Sequence, residues 1–168
     1  MTQKLLSYYK TNYDIDFIAS QRVFGNIIDY ESFDIKHLIT LFPELFRTYD
    51  YQIISKTKTT GYYMDWHLDD AHIISHTKNH IKTLIGHDKH IPISDKHTLY
   101  YYDKKPIYSL IIYEHTFNKD FTGGTLEFYN NIIIYPKKGD YVLFNSNDLH
   151  RVNPMTSGIR STHLIKFY

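Results

Sequence analysis

The chain has no cysteine, so no disulfide can staple it and no zinc site built on thiolates is possible. It carries little net charge. A formal +1 and a pI near 7.9 give no whole-chain attraction for nucleic acid or an anionic membrane, which argues against both as partners. No apolar run approaches the ~20 residues of a membrane span. The stretch Met1 to Lys10 offers only Leu5 and Leu6 as consecutive aliphatics, too few for a signal-peptide core. Internal repeats, low-complexity tracts and linkers rich in glycine, proline and serine are also missing. These absences predict a soluble, cytoplasmic protein in which residues 1–168 form a single domain around one core. Alanine is reduced to Ala19 and Ala71 and tryptophan to Trp66, against 17 tyrosines and many isoleucines and lysines, a bias expected of AT-rich coding. A tyrosine here therefore says less than usual, and Trp66, the glycines and Arg160 say more.

What is present divides into a helical front and a β-rich remainder. Ile35, Leu38, Ile39, Phe42, Leu45 and Phe46 recur at steps of three and four, which predicts a helix capped by Ser32 or Asp34 and kinked or ended at Pro43. Residues 1–48 are thus expected to be a helical support, and 49–168 a β core. Short runs rich in Tyr, Ile, Val and Phe predict strands over 50–56, 62–67, 107–113, 125–129, 132–134, 141–144, 149–152 and 160–168. Gly123-Gly124, Asn130-Asn131 and Lys138-Gly139-Asp140 mark tight turns. Such a set closes into two facing sheets, a jelly roll or double-stranded β-helix, with the helix outside one sheet. Another β-sandwich would satisfy the same count. Between Asp70 and Tyr100 lie His72, His76, His80, His87, His90 and His97 with several lysines. This stretch, about 71–99, reads as an insertion with partial helix. His72, His76 and His80 would share one helical face, more in keeping with a solvated face than a zinc site.

The chemistry concentrates in His67-Leu68-Asp69 and, far downstream, His150. Two residues apart on a strand, His67 and Asp69 leave the same face and can reach one metal, while Trp66 and Leu68 point into the core. A closed β topology can bring His150 to the same point. Two imidazoles and a carboxylate are the donor set of a non-haem iron(II) site with open positions. Arg160, at the start of the last strand, presents a fork suited to a planar carboxylate.

His67-Leu-Asp-Asp-Ala71, Phe121-Thr-Gly-Gly-Thr-Leu-Glu-Phe128, the run Asp140 to Pro154 around His150-Arg-Val, and Pro154-Met-Thr-Ser-Gly-Ile-Arg160 together resemble the 2-oxoglutarate/iron(II) dioxygenases. The likeness is strongest to the prolyl-4-hydroxylase-like and PKHD-type branches, and it covers roughly 50–168. It implies iron(II) on His67, Asp69 and His150, and 2-oxoglutarate chelating the metal with its far carboxylate on Arg160. It implies Tyr113 as a support for the co-substrate, dioxygen as oxidant, and ascorbate as a reductant. The implied activity is hydroxylation of a protein or peptide side chain, prolyl by default, with release of succinate and carbon dioxide. Two positions depart from the family pattern: Lys56-Thr57 stands where a tyrosine is usual, and Lys166 where a tryptophan is usual. Even spacing puts Arg160, Thr162, Leu164 and Lys166 on one face, so Lys166 is expected to look into the pocket.

Other readings use the same residues. An oxidative demethylase of nucleic-acid bases would match Arg160 alone of its arginine pattern, since Arg160-Ser-Thr-His-Leu-Ile-Lys166 lacks the rest. A small-molecule hydroxylase and a non-catalytic jelly-roll binding module complete the alternatives, because fold does not set substrate. The insertion follows the ligand strand directly and is expected to border the substrate entrance as a lid.

Overall fold

The central strands of the major sheet are buried on both faces, and this fact organises the molecule. The computed structural model describes Thr2–Gln3 and residues 22–69, 71–75, 87–94, 97–102, 105–129 and 131–168, with side chains described for 22–69, 105–129 and 131–168. The major sheet holds five strands in the order β2 (Val23–Asn26), β12 (Asp140–Asn145), β8 (Tyr108–Tyr113), β15 (Arg160–Phe167) and β3 (Tyr51–Lys58). All its pairings are antiparallel. Alternation sends Leu110, Ile112, Tyr141, Leu143, Ile165 and Phe167 to one side. There they bury against Leu38 and Phe42 from helix α1 (Ile35–Leu41) and its end, and against Leu45 from α2 (Pro43–Thr48). The opposite face carries Tyr113, Val142 and Phe144, which meet Leu126, Phe128 and Ile134 of the second sheet. Each such side chain contributes about 1.5–3 kcal/mol on burial, so the central strands read as unbroken apolar runs.

The second sheet runs β1 (Thr2–Gln3), β11 (Ile132–Ile134), β10 (Leu126–Phe128), β13 (His150–Val152), β4 (Met64–His67). The short pair β9 (Phe121–Gly123) and β14 (Met155–Gly158) closes one end. Two facing sheets, antiparallel except for the β1–β11 pair, with helices outside one of them are the expected jelly roll. The helix ends where the sequence predicts. Asp34 caps α1 by accepting the Lys36 N–H at 2.9 Å, and Pro43 opens α2, where its missing N–H costs nothing. No helix among the described residues is long and apolar enough to cross a membrane.

Three expectations need correcting. The front is not wholly helical, because Val23–Asn26 forms β2 on the edge of β12. Val23 and Phe24 suit a strand, and the β12 edge offers them backbone partners. The remainder of the front, residues 4–21, lies outside the described residues. The insertion has no helix among its described residues. Ala71–Ser75 (β5), His87–Ser94 (β6) and His97–Tyr102 (β7) pair antiparallel in the order β5-β7-β6. Its β-branched Ile73, Ile74, Ile91, Ile93 and Thr98 and the Tyr100–Tyr102 run favour strand, and ladder bonding outweighs the four-residue histidine spacing. His72 lies on β5, while His76 and His80 lie outside the described residues. Trp66, finally, is not core. It is half-buried on the outer face of β4, edge-on to Tyr129 with the Arg151 guanidinium 4.5 Å from its ring centre.

Candidate metal and co-substrate site

His67 ends β4 and His150 opens β13, and the two are cross-strand partners with ring centres 4.2 Å apart. The topology therefore joins residues far apart in sequence into one pair. Asp69 follows two residues later, beyond the strand proper. Its N–H donates to the Ser146 carbonyl at 2.9 Å, which turns the chain and aims the carboxylate back at the histidines. The same turn breaks the strand's alternation, so Leu68 lines the site cavity and does not enter the core. Both histidine Nε2 atoms stand close to Asp69 Oδ1, His150 at 3.3 Å and His67 at 3.5 Å. The three ligand atoms lie within 4.8 Å of one another, and among the described residues they are the one cluster able to hold a metal ion.

The surroundings prepare these atoms for a metal. His67 Nδ1 lies 2.7 Å from the Asp65 carbonyl and His150 Nδ1 2.7 Å from the Asp148 carbonyl. A carbonyl can only accept, so each Nδ1 donates, and each Nε2 keeps its lone pair for the site. Ser109 donates to Asp69 Oδ2 at 2.6 Å and leaves Oδ1 for the metal. Arg22 forks onto Asp148 at 2.5 and 2.8 Å and so steadies the turn whose carbonyl holds His150. Burial alone would raise the Asp69 carboxyl, but the His150 and His67 imidazoles outweigh it and hold that group well below the usual carboxylate range. Burial likewise pulls His150 down, and the Asp69 carboxylate more than reverses it.

A cavity of about 250 Å³ runs from the triad to Arg160 between the two sheets. Arg160 is buried, and its guanidinium lies 5.4 Å from the Tyr113 ring centre. The Arg160 Nε and the Tyr113 hydroxyl are both buried, with no hydrogen-bond partner among the described residues. Two orphaned donors side by side are costly unless an acceptor arrives, and a carboxylate supplies one. Burial pushes the Tyr113 hydroxyl's pKa up, with the Arg160 charge opposing. Gly124 makes room for this arginine: with φ +60, a Cβ there would stand 2.7 Å from Met155 Cγ and 3.3 Å from Arg160 Cδ.

His67, Asp69, His150 and Arg160 line one cavity, and Tyr113 is buried beside Arg160 without lining it. Lys166 lines the cavity as expected from strand alternation, and so does Lys56. Sequence reasoning misses Ser109, Ser146, Lys58 and Arg22. Ser109 carries a signal, being the one non-aromatic hydroxyl in the otherwise apolar run Tyr108–Tyr113. Nothing local marks Arg22, since its partner Asp148 is adjacent only in the fold.

A double-stranded β-helix that brings two histidines of paired strands and a carboxylate of the following turn together carries the donor set of a non-haem metal site of the oxygenase type. Residues 51–168 match the model of the 2OG-Fe(II) oxygenase superfamily, and the chain belongs to that superfamily. Iron(II), 2-oxoglutarate and dioxygen are its cofactor set. The donors fit it: the triad has freed ligand atoms, and Arg160 with Tyr113 provides orphaned donors for a carboxylate. No curated protein matches the chain in sequence. Similar solved structures include a viral collagen prolyl hydroxylase of Paramecium Bursaria Chlorella virus-1 bound to 2OG, with 14% identity, TM-score 0.50, and coverage of 88% of this chain and 78% of that one. A Pseudomonas putida prolyl-4-hydroxylase shares 18% identity at TM-score 0.46, over 74% of this chain and 56% of its own. A 2OG-Fe(II) oxygenase family oxidoreductase from Burkholderia pseudomallei shares 13% at TM-score 0.43, over 79% and 50%. The chain spans about half the length of these last two. At such identities the likeness concerns the fold.

Proposed function

We propose that this chain is an iron(II)- and 2-oxoglutarate-dependent dioxygenase that hydroxylates a side chain of a protein or peptide, with proline the default target. One observation carries the reading: the His67, Asp69, His150 triad and Arg160, whose buried Nε has no partner among the described residues, line the same cavity. When bound, iron and 2-oxoglutarate would supply oxidising power through decarboxylation of the keto acid to succinate and carbon dioxide. The chain's own residues position and enclose. His67, His150 and Asp69 Oδ1 present three donors from one side and leave the other positions open. Ser109 and the Asp65 and Asp148 carbonyls hold those donors in register. Arg160 would hold the far carboxylate through its guanidinium N–H groups, and Tyr113 would add a hydroxyl. Phe144 packs edge-on at 4.9 Å against the His150 ring and keeps water from its buried side. The prolyl target is supported by the likeness to the viral collagen prolyl hydroxylase and by the motif resemblance.

The test is incubation with iron(II), 2-oxoglutarate, ascorbate and proline-containing peptides, followed by mass spectrometry for a one-oxygen gain and assay of succinate. Wild type should produce succinate, and His150→Ala should not while still folding. Full iron-dependent turnover in both His67→Ala and His150→Ala variants would falsify the assignment.

A further inference from the structure

Arg160 reaches the cavity from the first position of β15, where a strand is least secured. Gly158 precedes it with φ +82, a turn conformation, and Ile159 between them is exposed. On one flank Arg160 pairs with Lys58 of β3. On the other flank β8 stops short, because the ladder between β15 and β8 begins only at Thr162, opposite Tyr113. Strand ends that lack a neighbour open more readily than the middle. The Arg160 side chain is nonetheless buried, with its Cδ against Gly124. Where its guanidinium points is therefore decided by where the backbone of residues 160 and 161 is held.

His115 closes that open flank. In a continued antiparallel ladder Ser161 and Glu114 would exchange two backbone bonds. The first is present, the Glu114 N–H donating to the Ser161 carbonyl at 3.0 Å. The second is replaced: the Ser161 N–H donates to His115 Nδ1 at 2.9 Å. A backbone N–H only donates, so Nδ1 accepts and the ring proton lies on Nε2. Both backbone polar groups of Ser161, the residue next to Arg160, are thus held by residues 114 and 115. That mount is itself secured. The Glu114 carboxylate accepts from the Tyr30 hydroxyl and lies 2.9 Å from His163 Nε2, and the Tyr113 carbonyl accepts the Gly139 N–H at 2.8 Å. On the other side, the Thr116 N–H donates to Asp120 Oδ2 at 2.7 Å. Tyr113, whose buried hydroxyl has no partner among the described residues, lies two positions before His115. One short segment therefore sets the spacing between Tyr113 and Arg160.

We infer that His115 is a positioning residue for the co-substrate: through Ser161 it fixes the start of β15 and so aims Arg160, beside Tyr113, at the far carboxylate of 2-oxoglutarate. This rests on the dioxygenase reading for the identity of that ligand. Its experiment loads the full chain with iron(II) under nitrogen and titrates it with 2-oxoglutarate by calorimetry. His115→Ala should bind about tenfold more weakly, the order of one lost hydrogen bond, with iron affinity unchanged. In turnover its KM for 2-oxoglutarate should rise more than its kcat falls. His115→Asn, whose side-chain oxygen can stand in for Nδ1, should recover most of the affinity. Thr116→Val removes a different side-chain bond of the same segment, to the Lys138 N–H, and should leave the affinity alone. In an Arg160→Ala background His115→Ala should add little, because a residue that acts through another has no effect once the other is gone. Amide exchange at Ser161, read on the protein without co-substrate, should quicken in His115→Ala and slow again in His115→Asn. Should His115→Ala not fold, His115→Gln carries the same expectation, since its oxygen lies one bond beyond the Nδ1 position. Wild-type affinity in the variant with a lowered Tm overturns the inference, because His115 would then serve stability alone. So does a further tenfold loss on top of Arg160→Ala. Failure of the wild type to bind 2-oxoglutarate sinks the dioxygenase reading instead, and Ser161 exchange then decides by itself whether His115 holds the strand.

Discussion

Asp69 shows how much one side chain can be made to do by its neighbours. One oxygen faces two imidazoles, the other accepts from Ser109, and its backbone N–H is tied to Ser146. His150 without metal holds its proton to a higher pH than an ordinary histidine, because Asp69 stabilises the cation. A metal needs the neutral ring, so metal and proton compete. Affinity for iron(II) or manganese(II) should fall as pH falls through the raised His150 pKa, with protons released on binding. Calorimetric titration in buffers of different ionisation enthalpy measures both. A flat affinity from mildly alkaline to mildly acidic pH would contradict the coupling. Arg160→Ala should weaken 2-oxoglutarate binding more than a hundredfold, since losing one partner of a buried pair costs ~3–5 kcal/mol, while metal affinity changes little. Unchanged co-substrate affinity would point to Lys58 or Lys56 as the true anchor.

At the scale of elements, β15 does two jobs with one alternation. Ile165 and Phe167 bury against the helices, and Arg160, Thr162, Leu164 and Lys166 line the cavity. A one-residue slip would exchange the two sets, so its pairing with β3 and β8 is tightly specified. The insertion is a different kind of element. Its first strand, β5, begins at Ala71, two residues past Asp69, so its root is beside the triad. Replacing residues 73–97 by a short Gly/Ser linker should abolish peptide hydroxylation and leave substrate-independent consumption of 2-oxoglutarate measurable. Survival of hydroxylation would show that substrate is gripped elsewhere.

For the molecule as a whole, one sheet couples support to site. Leu110 and Ile112 of β8 face the helices, and Ser109, Ile111 and Tyr113 face the other side, where Ile111 lines the cavity and Ser109 donates to Asp69. Leu110 is fully buried, so Leu110→Ala should cost ~2–5 kcal/mol and lower Tm visibly in a thermal melt. The variant should also bind metal less tightly at temperatures where the wild type is unaffected, because Ser109 sits next to it. A melt shifted by less than a degree would mean that the sheet is not stabilised through this face.

Much of this was legible in the chain itself. The helix with its Asp34 cap and Pro43 break follows from local rules of periodicity and capping. The strands around Ile107–Tyr113, Ile132–Ile134 and Arg160–Tyr168 are readable because apolar β-formers are bounded by turn residues. His67, Asp69, His150 and Arg160 could be named because their spacing and flanking residues form long motifs. What the sequence alone could not determine depends on contacts between distant segments. Asp69 lies in a turn held by Ser146, Arg22 steadies His150 through Asp148, and Lys166 comes opposite Ser109 only because β15 pairs with β8. The insertion's strands and β2 were hidden for the same reason. Strand formation there depends on a partner edge supplied by the rest of the fold, whereas a helix satisfies its own backbone.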